Sequence, residues 1–162
     1  MLKSRIPVPQ FLNARQVVHG SSSLLALKGL QSVKVAIIVS NVIYNDSIKM
    51  DYIKNSVNCH ESKFIAKSWK SDLKINEFSE PLLNLQDFGP DCIIAIGGGS
   101  LIDGAKLLWA FYEHPQLNHQ IINGFVKIPP LRGKSNFIAV PTTIGTGSEV
   151  SSSAILYNEN SG

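Results

Sequence analysis

The run Asp91–Lys106, DCIIAIGGGSLIDGAK, constrains the fold of this chain more than any other part of it. Cys92–Ile96 is apolar at every position, the pattern of a strand buried on both faces rather than one. Three glycines follow, which free the backbone for a tight turn and leave no Cβ in front of it. From Ser100 to Tyr112, apolar residues recur at Leu101, Ala105, Leu108 and Tyr112, one stripe of a helix. Ile102, Trp109 and Phe111 widen that stripe, so the helix is expected to be covered on most sides. Strand, glycine turn and helix together open a βαβ unit.

The rest of the chain repeats the theme. Val33–Ser40 (VKVAIIVS) and Asn136–Val140 (NFIAV) read as buried strands, and Ser62–Ser68 (SKFIAKS) as a weaker one. Ser21–Lys28 reads as a helix stopped by Gly29, and Ser47–Val57 as another. This alternation predicts an α/β domain, a Rossmann-like parallel sheet with flanking helices. Ligands of such sheets gather at the carboxyl ends of the strands. Two glycine-bearing loops, Gly97–Ser100 and Gly145–Ser148, fall at such ends.

Composition narrows the classes. At 162 residues, 44% of them hydrophobic, the chain is one domain by size with enough apolar side chains for a core. The net charge of +3 is spread among acids and apolar residues, without the basic face or arm of a nucleic-acid binder. No stretch approaches the length needed to cross a bilayer, and Met1–Gln10 lacks the apolar core of a signal peptide. Cys59 and Cys92 have neither disulfide-framework nor metal-ligand spacing. A cytoplasmic protein with reduced thiols is expected, acting without nucleic acid or membrane.

Each loop has its own chemistry. In the first, Ser100 is expected to cap the helix, with Asp103 reaching back three residues later as a short capping-box partner. The amides at that helix start, with the positive end of the dipole, suit a phosphate or pyrophosphate. A turn that merely admits a strand to a helix is the alternative. The run is neither the usual dinucleotide fingerprint, since Ile102 stands at the third glycine position, nor a P-loop. Lys106 is expected to pair with Asp103 and is given no ligand role. In the second loop, PTTIGTGSEV, threonine and serine hydroxyls and glycine amides suit ribose, phosphate or a carboxamide. A Ser/Thr-rich turn bonding its own backbone is the alternative there.

Together, in this order, the two loops resemble those of the iron-dependent alcohol dehydrogenase family, whose strings read I-G-G-G-S-x-x-D-x-A-K and P-T-T-x-G-T-G-S-E-V. The chain carries Ile96–Ser100, Asp103, Ala105 and Lys106 of the first, and Pro141–Thr143 with Gly145–Val150 of the second. The resemblance implies the dehydroquinate-synthase-like nucleotide domain over residues 1–162. It implies NAD or NADP as cofactor, with Gly98, Gly99 and Ser100 at the pyrophosphate and Asp103 nearby. Thr142, Thr143, Thr146 and Ser148 would contact the dinucleotide toward its nicotinamide end, and Glu149 would brace the loop. Iron, or another divalent metal, and most of the pocket for a small alcohol or aldehyde would come from a helical domain absent from this chain. The resemblance therefore implies hydride transfer in a full-length parent, little turnover by this chain alone, and pairing into a homodimer through the domain edge.

Two departures bear on the cofactor. Where many members carry an acid that meets the adenine ribose, this chain has Ser40-Asn41. Without that acid a 2′-phosphate is not repelled, so NADP is expected to be accepted. An Asn-Pro pair common before the first glycine loop has Glu80-Pro81 as its nearest counterpart, and the connection from there to Asp91 reads as short. The four histidines, His19, His60, His114 and His119, lack helical metal-ligand spacing, and His114 and His119, in a polar, proline-containing stretch, read as surface residues. Two rival readings stay open. One is a glycerol-phosphate-dehydrogenase or dehydroquinate-synthase relative, disfavoured by the intact second loop. The other is a non-catalytic nucleotide-binding module.

Overall fold

The computed structural model describes residues 16–70, 73–117 and 129–154. The N-terminal Met1–Gln10 segment, His119 and the Asn158–Gly162 end lie outside these residues. A 3₁₀ segment, Ser23–Gly29, leads into β1 (Ser32–Val39), followed by α1 (Asn41–Tyr44), α2 (Ser47–Ser56) and β2 (Cys59–Ala66). Then come a 3₁₀ turn at Ile75–Phe78, α3 (Ser79–Phe88), β3 (Cys92–Gly97), α4 (Gly99–Glu113) and β4 (Asn136–Pro141). All three strand pairings are parallel, in the order β2-β1-β3-β4. This is the expected doubly covered α/β sheet. No helix of the described residues is long and apolar enough to cross a membrane.

Burial follows position in the sheet. All six residues of β3 are buried, as are the last five of β1, because these two strands lie inside and are covered on both faces. Alternate side chains divide them between two cores. Ala36, Ile38, Ile93 and Ala95 pack with Leu85 of α3 and Leu101, Ile102, Ala105 and Leu108 of α4. Val35, Ile37, Val39, Ile94 and Ile96 face the other way, against Leu27, Ile43 and Ile53. The Asp91 carboxylate accepts from the Val33 and Lys34 amides at 2.7 and 3.2 Å, tying the lower ends of β1 and β3 together.

The structure revises several elements. β2 begins at Cys59, three residues before the expected strand, because Ser32 pairs with Cys59 and the ladder recruits a polar start that an edge strand tolerates. Ser23–Gly29 is 3₁₀ rather than α-helical, entered through Ser22 at φ 61°. The segment carrying Glu80-Pro81, given no element from the sequence, is a ten-residue helix, α3. Pro81 fits there because the first turn of a helix has no internal acceptor for its missing N–H. Gly89, at φ 63°, closes that helix in the left-handed conformation. Finally, α4 starts at Gly99 with Gly98 at its cap and no side-chain capping bond, so the Ser100–Asp103 capping box is not formed.

From β1 the chain moves out to β2 on one side and returns to β3 on the other. The helices that follow β1 and β3 leave on opposite faces of the sheet. Beyond the carboxyl ends of these neighbouring strands lies the crevice where open α/β sheets bind ligands.

Candidate functional site

Both glycine loops leave the carboxyl edge of the sheet side by side. The β3–β4 ladder runs on to Gly97 paired with Pro141, and the Thr142 amide still donates to Gly97 O at 2.9 Å. The second loop therefore departs directly over the first. Gly145 (φ 97°) and Gly147 (φ 65°) take backbone conformations that L side chains rarely adopt, which holds its path to glycine at both positions.

The loops touch through the first loop's missing side chains. A Cβ on Gly98 would lie 3.3 Å from Thr143 Oγ1. One on Gly99 would lie 2.8 Å from Thr146 Cγ2, 2.9 Å from Thr146 Cβ and 3.1 Å from Ser148 Oγ. The resemblance puts Gly99 at the pyrophosphate with Gly98 and Ser100. Its bare α-carbon also admits Thr146 and Ser148. Ser148 is buried, while Thr142, Thr143 and Thr146 are exposed.

At the start of α4, Leu101 and Ile102 both donate to Gly98 O, at 3.0 and 3.1 Å. The N–H groups of Gly99 and Ser100 have no acceptor within the helix, as at any helix start. They lie at the positive end of the dipole of a fifteen-residue helix. Asp103 lies one turn further on, and its Oδ1 is 2.8 Å from Lys106 Nζ, the pairing expected from the sequence. Lys106 also donates to Ser151 O and Ser153 O at 3.1 and 2.7 Å, fastening the segment after the second loop to α4. Glu149 does not brace its loop through Oε2, which is enclosed and meets no donor among the described residues.

Two residues that the sequence reading passed over belong to this neighbourhood. The turn after β2 runs Lys67-Ser68-Trp69-Lys70. Trp69, buried and stacked on Phe78 at 5.3 Å, donates from Nε1 to Ser100 O at 3.0 Å. Lys67 Nζ donates to Ser100 Oγ at 2.9 Å. Ser100, expected to cap its helix, is thus held from both sides by a turn 31 to 33 residues away. Gly104 makes room for the indole, since a Cβ there would collide with Cε2 and Nε1 of the Trp69 ring. A glycine inside an apolar helix was the one signal in the sequence that could have marked this contact.

Asn41, the first residue of α1, lines a cleft of about 460 Å³ with Tyr44, Phe64, Lys67, Ser68 and Glu80 among others. That volume is in the range of small-molecule sites. Asn41 lies beyond the end of β1 and Ser100 beyond the end of β3, and Lys67 links the two by lining the cleft and bonding Ser100. Burial lowers the Lys67 ammonium below the usual lysine range, and Glu77 pulls it partly back.

The glycine-loop cradle, the helix start and the adjoining cleft fit a dinucleotide. A metal is another matter. Among the described residues no three His, Cys, Asp or Glu side chains gather where they could hold an ion. His114 bonds Pro130 O through Nε2 at 2.9 Å.

Known proteins place this geometry. The iron-containing alcohol dehydrogenase profile matches residues 14–162. The chain is 32% identical to the NADPH-dependent butanol dehydrogenase of Clostridium saccharobutylicum, over 91% of its own length but 38% of the relative's. With aldehyde-alcohol dehydrogenase 2 of Entamoeba histolytica it shares 33% identity, over 89% of its length and 18% of the relative's. The iron-containing alcohol dehydrogenase structure from Thermococcus thioreducens superposes with a TM-score of 0.75 at 33% identity, covering 91% of this chain and 40% of that one. The chain thus spans well under half the length of these relatives. With its sheet, its two loops and nearly its whole length matched, the chain belongs to the iron-containing alcohol dehydrogenase family.

Proposed function

We propose that residues 1–162 are the dinucleotide-binding domain of an NAD(P)-dependent, metal-requiring alcohol dehydrogenase, whose helical metal-binding domain lies in sequence outside this chain. The observation carrying this reading is the packing of Gly98 and Gly99 against Thr143, Thr146 and Ser148 beside the switch point of the sheet. When bound, the nicotinamide supplies or accepts the hydride exchanged between an alcohol and its aldehyde. The relatives named for butanol and for aldehyde–alcohol conversion support that substrate class.

In this reading the Gly99 and Ser100 amides receive the pyrophosphate, where the helix dipole favours negative charge. Gly98 and Gly99 keep side chains out of its path, and Asp103 steadies the first turn through Lys106. The exposed hydroxyls of Thr142, Thr143 and Thr146, with buried Ser148 behind them, orient the dinucleotide toward its nicotinamide end. Asn41 meets the adenine ribose without the repulsion an acid would bring to a 2′-phosphate, so NADP is accepted. A 32%-identical relative named for NADPH supports that choice. Titrating the chain with NADH and NADPH, followed by nucleotide fluorescence, tests both points. Binding of neither sinks the site, and NADH binding tenfold tighter than NADPH sinks the NADP assignment.

A further inference from the structure

We infer that Lys67 reads the 2′-phosphate of NADP, making the turn after β2 a cofactor-specificity element of this domain. The inference rests on the proposed dinucleotide site and adds a residue, Lys67, that the sequence motifs do not include.

Three observations carry it. First, Lys67 follows β2 directly, its amide donating to Val39 O at 2.8 Å, so it is anchored at the carboxyl edge next to the end of β1. Asn41 opens the helix after that same strand, and both residues line the 460 Å³ cleft. A neutral amide at the position that the resemblance gives to the ribose contact and an ammonium lining the same cleft form the combination that suits a phosphate ester rather than a free hydroxyl pair.

Second, Glu77 attracts the Lys67 ammonium through space, but no carboxylate among the described residues bonds it. The Lys67 ammonium is bonded to a neutral hydroxyl, Ser100 Oγ, and no carboxylate among the described residues reaches it as an ion pair. The pyrophosphate already has the α4 amides, whereas a 2′-phosphate on the Asn41 side has no other cation lining the cleft. Glu80 lines the cleft from α3 and opposes the anion, which makes the lysine the more necessary.

Third, the turn is built to hold its place. Trp69 is wedged against Gly104, stacked on Phe78 and bonded to Ser100 O, while Glu77 accepts from the Lys70 amide at 3.2 Å. The backbone that carries Lys67 is therefore fixed to the first turn of α4, and only its side chain needs to swing from Ser100 to a ligand. Little ordering is left to be done on binding.

The test titrates NADPH, NADH, 2′-phospho-AMP and AMP into the wild-type chain, Lys67→Met and Lys67→Arg, with circular dichroism as a check on folding. Wild type should bind 2′-phospho-AMP at least tenfold tighter than AMP. Lys67→Met should lose at least tenfold in NADPH affinity and less than twofold for NADH, and Lys67→Arg should keep NADPH within about threefold. Equal losses for both cofactors would assign Lys67 to the pyrophosphate and overturn the inference, as would no loss for either. Equal affinity of wild type for 2′-phospho-AMP and AMP overturns it without recourse to a variant. Wild type binding NADH but not NADPH overturns the inference alone; binding neither removes the dinucleotide site beneath it.

Discussion

Replacing Glu113 with glutamine should loosen the entry to β4 and cost this domain about 2 kcal/mol. The Glu113 carboxylate ends α4 and is buried beneath the turn that precedes the strand. Oε2 accepts from the Gly133 and Lys134 amides at 2.8 and 3.0 Å. Oε1 accepts from the Ser135 amide at 2.7 Å, the Lys134 amide at 3.0 Å and the Ser135 hydroxyl at 3.3 Å. Glutamine keeps the shape but presents one acceptor and one donor to a ring of donors. Gly133 and Lys134 are exposed and can turn to water, whereas Ser135 is only 3% exposed and cannot. With the amide oxygen facing Ser135, about one bond is lost and the rest lose their charge assistance, at roughly 1.5–3 kcal/mol for a bond to a charged group. For a domain of this size about 2 kcal/mol lowers Tm by roughly 4–8 °C.

The pH dependence gives the sharper criterion. Burial alone would raise the Glu113 pKa, but the Ser135, Lys134 and Gly133 amides and the Ser135 hydroxyl outweigh it and hold it below 4.5. A depressed folded-state pKa contributes stability that is fully present above the unfolded value and lost as pH falls through the folded one. The gap between wild type and Glu113→Gln should therefore be constant from about pH 6 upward and narrow in acid, where both side chains are neutral. Urea unfolding read by tryptophan fluorescence and by circular dichroism measures it. Trp109 reports locally, since its Nε1 donates to Ser135 O at 3.2 Å and its ring stacks on Phe137. A gap below about 0.5 kcal/mol at neutral pH, or one that persists unchanged to pH 3, refutes the reasoning.

Gly104→Ala should destabilise by about 1–2 kcal/mol despite the roughly 1 kcal/mol that alanine gains in a helix, because the methyl displaces the Trp69 indole. A red-shifted tryptophan emission accompanies that loss, and a stabilised variant would contradict the packing. Gly99→Val should fold yet push the second loop off the first, lowering dinucleotide affinity at least tenfold; wild-type binding would show that contact between the loops does not position the site. Alcohol oxidation with NAD or NADP and added iron, assayed by nicotinamide absorbance, should stay at background for the 162 residues alone. Robust turnover there would place the metal and the substrate pocket within this chain.

The two glycine loops, the four strands and the long helix after Gly98 were legible because each rests on a preference written locally. Continuous apolar runs require burial on both faces, and consecutive glycines permit a turn that other residues resist. The helix α3 was hidden because Pro81 reads as a break unless its place in a first turn is known. The role of Ser100 was misread for a related reason. Ser-x-x-Asp is a capping pattern only if the helix begins after the serine, and here Gly98 takes that place one residue before the helix.

What the sequence by itself determined is the class of fold and the two loops at its carboxyl edge, each ambiguous alone and decisive together. What only the tertiary structure decided is which residues meet there. Gly99 sits against Thr146 and Ser148, and Ser100 is clasped by Lys67 and Trp69, partners 31 to 49 residues distant. Sheet order and register bring them together, through hydrogen bonds between strands whose pairing no local pattern specifies.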